Sequence, residues 1–216
     1  MAFVNGLVYV TNDGTNNGAT ADSLVVFDPA GNWVATYPLT NTVSPFAVMA
    51  FQGDLLVSGS TATTTDDIHR YTTAGVSVGT FHDSATISFA HQISPALDGN
   101  VWCAGFSTLS GGTPGLHKID AVTGAILVTI PQSGPRGVWE LPNGNLLWTN
   151  SGGTSIYDVS TMTSTEIFDG GSYHVNPYVE AKACHRPYGA GCHDFFAQDN
   201  SNLFELFATI ADGKAA

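Results

Sequence analysis

The sequence has few charged residues, and basic residues are the scarcest of them. Lys and Arg number 6 in 216 residues, against 18 Asp plus Glu, and the formal net charge is −12. The three arginines, Arg70, Arg136 and Arg186, lie far apart in the sequence. A protein that binds nucleic acid needs clustered Lys and Arg to neutralise phosphates. The composition therefore argues against nucleic acid as a partner.

Long hydrophobic runs are absent, and only 3 cysteines are present. No apolar run approaches the roughly 18 residues that a membrane-spanning helix needs. No basic stretch precedes an apolar one near the N-terminus, so the sequence shows no signal peptide. The Lys-poor composition, rich in Thr, Asn and Gly, is nevertheless typical of an exported bacterial protein. We therefore expect an extracellular or periplasmic location.

Several familiar catalytic and cofactor motifs are also missing. The sequence contains neither the Gly-x-Ser-x-Gly elbow of serine hydrolases nor the His-Glu-x-x-His motif of zinc proteases. It has no phosphate-binding loop and no dinucleotide fingerprint. The Cys-x-x-Cys-His motif of covalent haem attachment is absent as well. We therefore expect neither a nucleotide nor haem as a cofactor.

The sequence does contain an internal repeat. A glycine turn followed by an apolar strand occurs four times, with Gly6, Gly53, Gly99 and Gly144 at steps of 47, 46 and 45 residues. Glycine permits the positive φ of a tight hairpin turn. Period-two alternation predicts four short strands per repeat, which is the content of one β-propeller blade. A β-sandwich is the alternative, but a sandwich does not require the same motif at a fixed interval.

One copy of the repeat carries a recognisable motif. The segment PRGVWELPNGNLLWTN at positions 135–150 resembles the blade signature of streptogramin-lyase-like and lactonase-like propellers, which have six or seven blades. The resemblance covers residues 1 to about 170 and implies an all-β propeller. Such blades occur in lyases, lactonases, esterases and non-catalytic binders, so the resemblance does not identify a function. It implies that polar residues at the channel mouth hold a divalent metal or act as acid and base.

The repeat predicts four blades over residues 1–171, with room for a fifth that begins at Ser172. Residues 172–216 are predicted as an irregular closing segment with a short helix near 201–211, whose apolar face includes Leu203 and Phe204. Three arrangements fit this number of blades: a small closed ring, a ring with an irregular fifth blade, or an open ring completed by a second copy in a homo-oligomer.

The blade count also predicts a site. Eight residues before the anchoring glycines lie Pro45, His91 and Arg136, and His174 holds a similar place in a fifth blade. Because the innermost strands line the channel, we expect His91, Arg136 and His174 to converge at one mouth. Two imidazoles can bind a divalent metal (Zn, Ca or Mg) or transfer protons, and an arginine can stabilise an oxyanion. The alternative is that these polar residues only bind water.

A second cluster near the C-terminus is an alternative metal site. Its residues are Cys184, His185, Cys192 and His193, which are possible zinc ligands although their spacing is not that of a zinc finger. In an exported protein a Cys184–Cys192 disulfide is the favoured interpretation. Cys103 lies in a predicted strand and is expected to be a buried free thiol.

Three further histidines carry weaker signals. His69 follows two aspartates and is predicted in a solvated loop. His82 precedes Asp83 and is predicted in a turn. His117 alternates with its neighbours on a predicted strand and is expected to be an ordinary edge residue.

Two classes of function follow from this sequence. The first is a metal-assisted hydrolase or lyase that acts on a small ester, lactone or phosphoester, with His91 and His174 as metal ligands or acid–base groups and Arg136 at the oxyanion. The second is a non-catalytic extracellular module that binds a glycan or a protein. A fragment of a larger surface repeat protein is a variant of the second.

Overall fold

The computed structural model describes residues 1–14, 20–59, 67–83, 86–107, 112–171, 174–178, 194–198 and 203–204. In this part of the chain, nineteen strands form five antiparallel sheets, each made of strands that are consecutive in the sequence. We call these sheets blades 1 to 5. The described residues include no helix that is long and apolar enough to cross a membrane.

The strand bounds follow the repeat. Blade 1 consists of β1 (Ala2–Val4), β2 (Leu7–Asn12), β3 (Ser23–Phe27) and β4 (Trp33–Pro38). Blade 2 consists of β5 (Val48–Phe51), β6 (Asp54–Ser58), β7 (Ile68–Tyr71) and β8 (Ser77–His82). Blade 3 consists of β9 (Ser88–Pro95), β10 (Val101–Ser107), β11 (Gly115–Ile119) and β12 (Ile126–Pro131). Blade 4 consists of β13 (Gly137–Glu140), β14 (Leu146–Thr149), β15 (Gly153–Asp158) and β16 (Thr163–Asp169). Blade 5 consists of β17 (His174–Tyr178), β18 (Asp194–Gln198) and β19 (Leu203–Phe204).

The first strands of successive blades lie side by side. β1 contacts β5, β5 contacts β9, β9 contacts β13, and β13 contacts β17. Blades that follow one another around their first strands form a β-propeller. The prediction of an all-β propeller with four-stranded blades is therefore confirmed.

The core consists of apolar layers between neighbouring blades. The run Leu55–Val57 in β6 shows how the sequence builds them: Leu55 and Val57 pack against blade 1, whereas Leu56 packs against blade 3. A strand that is covered on both faces needs a continuous apolar run, because successive side chains point to opposite faces. The same layering joins blade 4 to blade 5, where Leu141, Leu147 and Val175 are buried together.

The C-terminal segment contains more sheet than the sequence predicted. β17, β18 and β19 pair in order as part of a fifth blade. Leu203 and Phe204, which were predicted to begin the apolar face of a helix, are strand residues because their backbone pairs with Gln198 and Ala197. The remainder of that predicted helix, residues 205–211, lies outside the described residues.

Gly124 marks a close approach of blades 2 and 3 and gives a first prediction. Its φ is +71°, and a Cβ atom there would lie 1.7 Å from the carbonyl oxygen of Phe81. This oxygen belongs to the backbone of β8, so it cannot move aside cheaply. We expect Gly124→Ala to lower the free energy of unfolding by about 3 kcal/mol or more, because backbone strain and overlap add.

Gly144 supplies the matched control for Gly124. Its φ is +84°, but a Cβ atom at this position would have no neighbour within 4 Å. Gly144→Ala should therefore cost only about 1 kcal/mol, from the positive φ alone. Denaturant unfolding of both variants measures the difference. Equal losses would show that the gap between blades 2 and 3 can open without cost.

Candidate functional site at the channel mouth

The structure brings the three predicted site residues together. His91 lies in β9, Arg136 directly precedes β13, and His174 is the first residue of β17. The ring centroids of His91 and His174 are 5.8 Å apart. The guanidinium carbon of Arg136 lies 5.5 Å from the centre of the Phe106 ring, which lies 5.3 Å from that of His91. The count of eight residues from the anchoring glycines selected His91 and Arg136, and a similar place in a fifth blade selected His174. The structure brings the three together, while their chemical roles stay predictions.

A bulge in β9 shapes this cluster. Ala90 pairs with Gly105 and Gln92 pairs with Ala104, so His91 is the extra residue between two regular pairs. Two residues earlier, Phe89 has a φ of +53°, a backbone conformation that bulky residues rarely adopt. Bulges and left-handed residues of this kind occur preferentially beside functional sites, where they redirect side chains and carbonyl groups.

The carbonyl group of His91 fixes the orientation of His174. Nε2 of His174 lies 3.2 Å from this carbonyl oxygen. Because a carbonyl oxygen can only accept, Nε2 is the donor and carries the proton of the neutral imidazole. Nδ1 of His174 is then the nitrogen with the lone pair. It is the atom of this ring that can take a proton from a ligand or from water.

Three phenyl rings surround His91, and we call Phe46, Phe89 and Phe106 the ring wall. Their centroids lie 4.2, 4.9 and 5.3 Å from that of His91. All three rings are half-buried, whereas His91 itself is only 4% exposed. The guanidinium carbon of Arg136 lies 5.5 Å from the centre of the Phe106 ring. The channel mouth therefore combines three phenyl rings with an adjacent guanidinium group.

Sequence reasoning missed the ring wall. Phe46 follows Pro45, which lies eight residues before Gly53 in blade 2, and Phe89 lies two residues before His91. Their proximity in the sequence to Pro45 and His91 could therefore have indicated that these two rings lie near the site. Phe106 belongs to the second strand of blade 3, and no spacing rule placed it at the mouth.

Both imidazoles are held neutral. Burial, with smaller contributions from His174 and Arg136, lowers the pKa of His91 to about 3. Burial, together with the positive chain terminus, lowers the pKa of His174 to about 4, although the bond to the His91 carbonyl opposes this shift. Neither ring carries a charge at neutral pH, so the lone pair on Nδ1 of His174 is available there.

A glutamine from blade 3 anchors the first strand of blade 5. The side chain of Gln92 donates from Nε2 to the carbonyl oxygen of Val175 at 2.5 Å and accepts from the amide of Val175 at 2.9 Å. It passes beside Gly137 of β13, where a Cβ atom would lie 2.8 Å from Oε1 of Gln92 and 2.6 Å from Oγ1 of Thr149. Since His174 precedes Val175, this pair of hydrogen bonds also positions the imidazole.

The described residues do not fit the divalent metal that the sequence resemblance implied. Among them, no three His, Cys, Asp or Glu side chains lie close enough to share a metal ion. His91 and His174 offer two imidazoles at most, and the positive charge of Arg136 would repel a dication beside them. The alternative cluster lies outside the described residues: Cys184, His185, Cys192 and His193. A metal therefore stays a prediction.

The three remaining histidines are buried, and their predicted surface positions are wrong. His69 lies in β7 and His82 ends β8, so neither is in a solvated loop. Nδ1 of His82 donates to the carbonyl oxygen of Gly124 at 2.7 Å and so connects blades 2 and 3. His117 is 1% exposed in β11, with Nε2 2.9 Å from the carbonyl oxygen of Thr113. Backbone carbonyl oxygens thus accept from His82 and His117, although the sequence predicted a turn for the first and an ordinary strand edge for the second.

Of the cysteine predictions, only the one for Cys103 falls on described residues. Cys103 is a buried free thiol in β10, as predicted. Burial raises the pKa of its thiol, so it is a packed side chain rather than a nucleophile. The predicted Cys184–Cys192 disulfide lies outside the described residues.

Comparison with known proteins supports the fold. No family model matches the sequence, and no curated protein matches it. Among solved structures, the WD40 β-propeller domain of Doa1 is similar, with a TM-score of 0.62 and 15% identity over 93% of this chain. A chain of the nidogen–laminin complex has a TM-score of 0.62 and 11% identity over 80% of this chain. A protein provisionally assigned as a gluconolactonase has a TM-score of 0.59 and 13% identity over 84% of this chain.

These likenesses concern architecture only. At such identities the shared property is the propeller fold, which supports many unrelated functions. This chain spans 60%, 65% and 66% of the three matched chains, in each case less than two thirds. The neighbours include both a catalytic assignment and a WD40 domain, so hydrolysis and non-catalytic binding are both compatible with the fold.

Proposed function

We propose that the channel mouth hydrolyses a small ester or lactone without a metal ion, with His174 as the general base. The observation that carries this proposal is the bond from Nε2 of His174 to the carbonyl oxygen of His91. It fixes one tautomer and leaves Nδ1 as the proton acceptor, which is what a backbone or carboxylate partner does for a catalytic histidine. The gluconolactonase neighbour supports the class of reaction at the level of the fold.

The reaction balances with the residues at the mouth. Nδ1 of His174 takes a proton from water while the water oxygen forms a bond to the carbonyl carbon of the substrate. The carbonyl electron pair moves to its oxygen, and the guanidinium of Arg136 stabilises the resulting oxyanion. The intermediate then collapses, the bond between carbon and the alkoxy oxygen breaks, and the alcohol leaves with the proton from His174. The products are a carboxylic acid and an alcohol, or one hydroxy acid from a lactone.

The pKa of His174 limits how fast this site can be. A histidine with a pKa of about 4 is protonated only below about that pH, so at pH 7 the ring is neutral and can accept a proton. Its low pKa also means that it is a weak base. General-base catalysis contributes about 10²–10⁴-fold, and a weak base belongs at the lower end. We therefore expect His174→Gln to reduce kcat about 100-fold. Arg136→Gln should have a comparable effect because it removes the oxyanion partner.

The test uses a panel of phenyl esters and six-membered lactones, assayed before and after dialysis against a chelator. His69→Gln and Arg70→Gln are matched controls, because both side chains lie in β7, away from the mouth. Loss of activity in the two mouth variants, but not in the controls, supports the site. Turnover by both mouth variants at the rate of the unchanged protein would refute it. Loss of activity on chelation would instead support the metal-assisted mechanism.

The pH profile gives an independent prediction for the same residue. Since burial lowers the pKa of His174 to about 4, the acid limb of kcat/KM should appear near that pH. The profile should stay level from about pH 8 down to about pH 5, provided that the protein is folded throughout. Initial rates in overlapping buffers measure this, with folding monitored in each. A limb near the ordinary histidine pKa of 6.5 would assign the base to another residue.

A second candidate function is binding without turnover, which the ring wall favours. Half-buried phenyl rings beside a guanidinium suit a ligand that combines an apolar face with an anionic or polar end. A predicted protein-binding module would use the same mouth, whereas the hydroxyl groups of a glycan would lose water against these rings, so the glycan-binding module stays a prediction without support from the mouth. Saturable binding of a ligand by a protein that hydrolyses none of the panel would support this candidate.

A second copy of the chain that completes the ring also stays a prediction, and the mass of the protein in solution tests it.

A further inference from the structure

We propose that the mouth site selects substrates whose acyl group is a flat aromatic ring, an inference that rests on the proposed function and names its substrate class. The ring wall would receive the aromatic ring, and Arg136 would hold the carbonyl or carboxylate oxygen beside it. Hydrolysis of an aryl-acyl ester would then release an aromatic carboxylate from the same position.

The rings of the ring wall contact one another and His91 in the arrangements that aromatic groups favour. Phe89 stacks on His91 with an interplanar angle of 25°, while Phe46 presents its edge to Phe89 at 5.4 Å and 86°. Phe106 contacts Phe89 at 5.5 Å with an angle of 71°. Offset stacks and edge-to-face pairs at these distances are the favoured arrangements of aromatic rings. A further flat ring can extend the set, because each of the three phenyl rings keeps an exposed part.

Arg136 sets where the oxygen atoms of the ligand would lie. Its guanidinium carbon is 5.5 Å from the centre of the Phe106 ring. The guanidinium group has five N–H donors in a planar fork, so it can bind a ligand in addition to its neighbours in the protein. A carboxylate bound there would place a directly attached ring against Phe106. In benzoate the ring is attached directly to the carboxylate carbon, whereas a long-chain acid has a flexible alkyl chain there.

The same surface disfavours a polyhydroxylated lactone. The hydroxyl groups of such a ligand would lose water against phenyl rings, which offer no hydrogen-bonding partner of comparable strength. The ring stacked on His91 and the two rings around it are hydrocarbon. The substrate class inferred here therefore differs from a sugar lactone, the substrate type that the name of the gluconolactonase neighbour indicates.

Calorimetric titration of the full chain with three sodium salts tests the inference. Benzoate and cyclohexanecarboxylate have the same carboxylate and the same number of carbon atoms, but only benzoate is aromatic, and gluconate is the polyhydroxylated comparison. We expect benzoate to bind roughly 2- to 10-fold more tightly than cyclohexanecarboxylate, the range of aromatic pair preferences. Gluconate should bind most weakly. Equal affinities, tighter binding of gluconate, or no binding of benzoate would overturn the proposal.

Substitutions in the ring wall locate the preference. Phe46→Leu and Phe106→Leu should each abolish the ratio between benzoate and cyclohexanecarboxylate. Phe81→Leu is the matched control, because Phe81 packs on Phe51 between blades 2 and 3. A ratio of affinities does not depend on the fraction of folded protein, so partial unfolding of a variant does not imitate the result. Persistence of the ratio in both mouth variants would contradict the location.

The outcomes separate this inference from the proposed hydrolase. Preference for benzoate without hydrolysis of any phenyl ester would refute the hydrolase and leave an aromatic-acid binding site. Hydrolysis of aliphatic esters in preference to aromatic-acyl esters would refute the aromatic class and leave the hydrolase. Hydrolysis of benzoyl esters in preference to cyclohexanecarboxyl esters, lost in His174→Gln, would support both.

Discussion

Lowering the pH from about 7 to about 4.5 is expected to reduce the free energy of unfolding by about 5 kcal/mol through His91 and His117, and further through His174, whose pKa is lowered as well. Burial lowers the pKa of His91 to about 3 and that of His117 to about 4, against 6.5 for an ordinary histidine. The unfolded chain therefore binds more protons between about pH 6.5 and pH 4, and stability rises with pH in that window. The stabilisation is complete above 6.5 and is lost as the pH falls through the folded pKa values.

Denaturant unfolding at several pH values between 4.5 and 7 measures this effect. Each unit of pH below 6.5 should cost about 1.4 kcal/mol per histidine, so His91→Gln and His117→Gln should each reduce the slope by that amount. Asp28→Asn is the control: hydrogen bonds from Asn32 hold the pKa of Asp28 below its ordinary 3.8, so its effect belongs to lower pH. A stability that does not change across the window would show that these rings are hydrated in the folded protein.

Gly137→Ala is expected to separate the start of blade 5 from blade 3 and to lower hydrolysis more than 10-fold. The added Cβ atom would lie 2.6 Å from Oγ1 of Thr149, 2.8 Å from Oε1 of Gln92 and 3.0 Å from the amide of Val175. Gln92 cannot withdraw without breaking both of its hydrogen bonds to Val175. The neighbouring His174 would then lose its position against the carbonyl group of His91.

Hydrogen exchange and activity together measure this prediction. The amide of Val175 should exchange much faster in Gly137→Ala, while amides of β6 and β10 keep their protection. Gly144→Ala lies in the same blade in open space and should leave both the Val175 amide and the activity unchanged. An unchanged amide at Val175 in Gly137→Ala would mean that β13 and Gln92 move apart without disturbing blade 5.

The blades were predictable because their determinants are local. A glycine at each hairpin and the alternation of side chains are properties of short segments, and they recur at nearly constant steps. Blades 1 to 4 each contain the four consecutive strands that the repeat predicted. The constant spacing also predicts which residues of different blades lie close together, because equivalent positions of successive blades meet at the propeller axis. For this reason a count back from the anchoring glycines placed His91 and Arg136 together, and a similar place in a fifth blade added His174.

The other features of the site depend on contacts between distant residues. The bulge at His91 and the left-handed backbone of Phe89 have no glycine or turn motif to announce them. The carbonyl partner of His82 is Gly124, 42 residues away, so the local sequence predicted only a turn. His117 lies in β11, an inner strand of its sheet, because blade 3 pairs β11 with both β10 and β12. Leu203 and Phe204 have helical spacing with Phe207, yet they pair with β18, because an available strand edge offers backbone hydrogen bonds that sequence spacing does not reveal.

The hydrogen bonds of Gln92 restrict how this molecule can acquire new blades. A propeller can gain length by duplication of a blade, and most junctions between blades tolerate an extra copy because each blade packs only on its two neighbours. The pair of hydrogen bonds from Gln92 to Val175 is different, because it joins blade 3 to blade 5 past Gly137 of blade 4. An additional blade inserted on either side of blade 4 would carry His174 away from His91. Duplication ahead of blade 2 or beyond blade 5 would leave the two histidines in register, so blades can be added at either end without loss of the mouth.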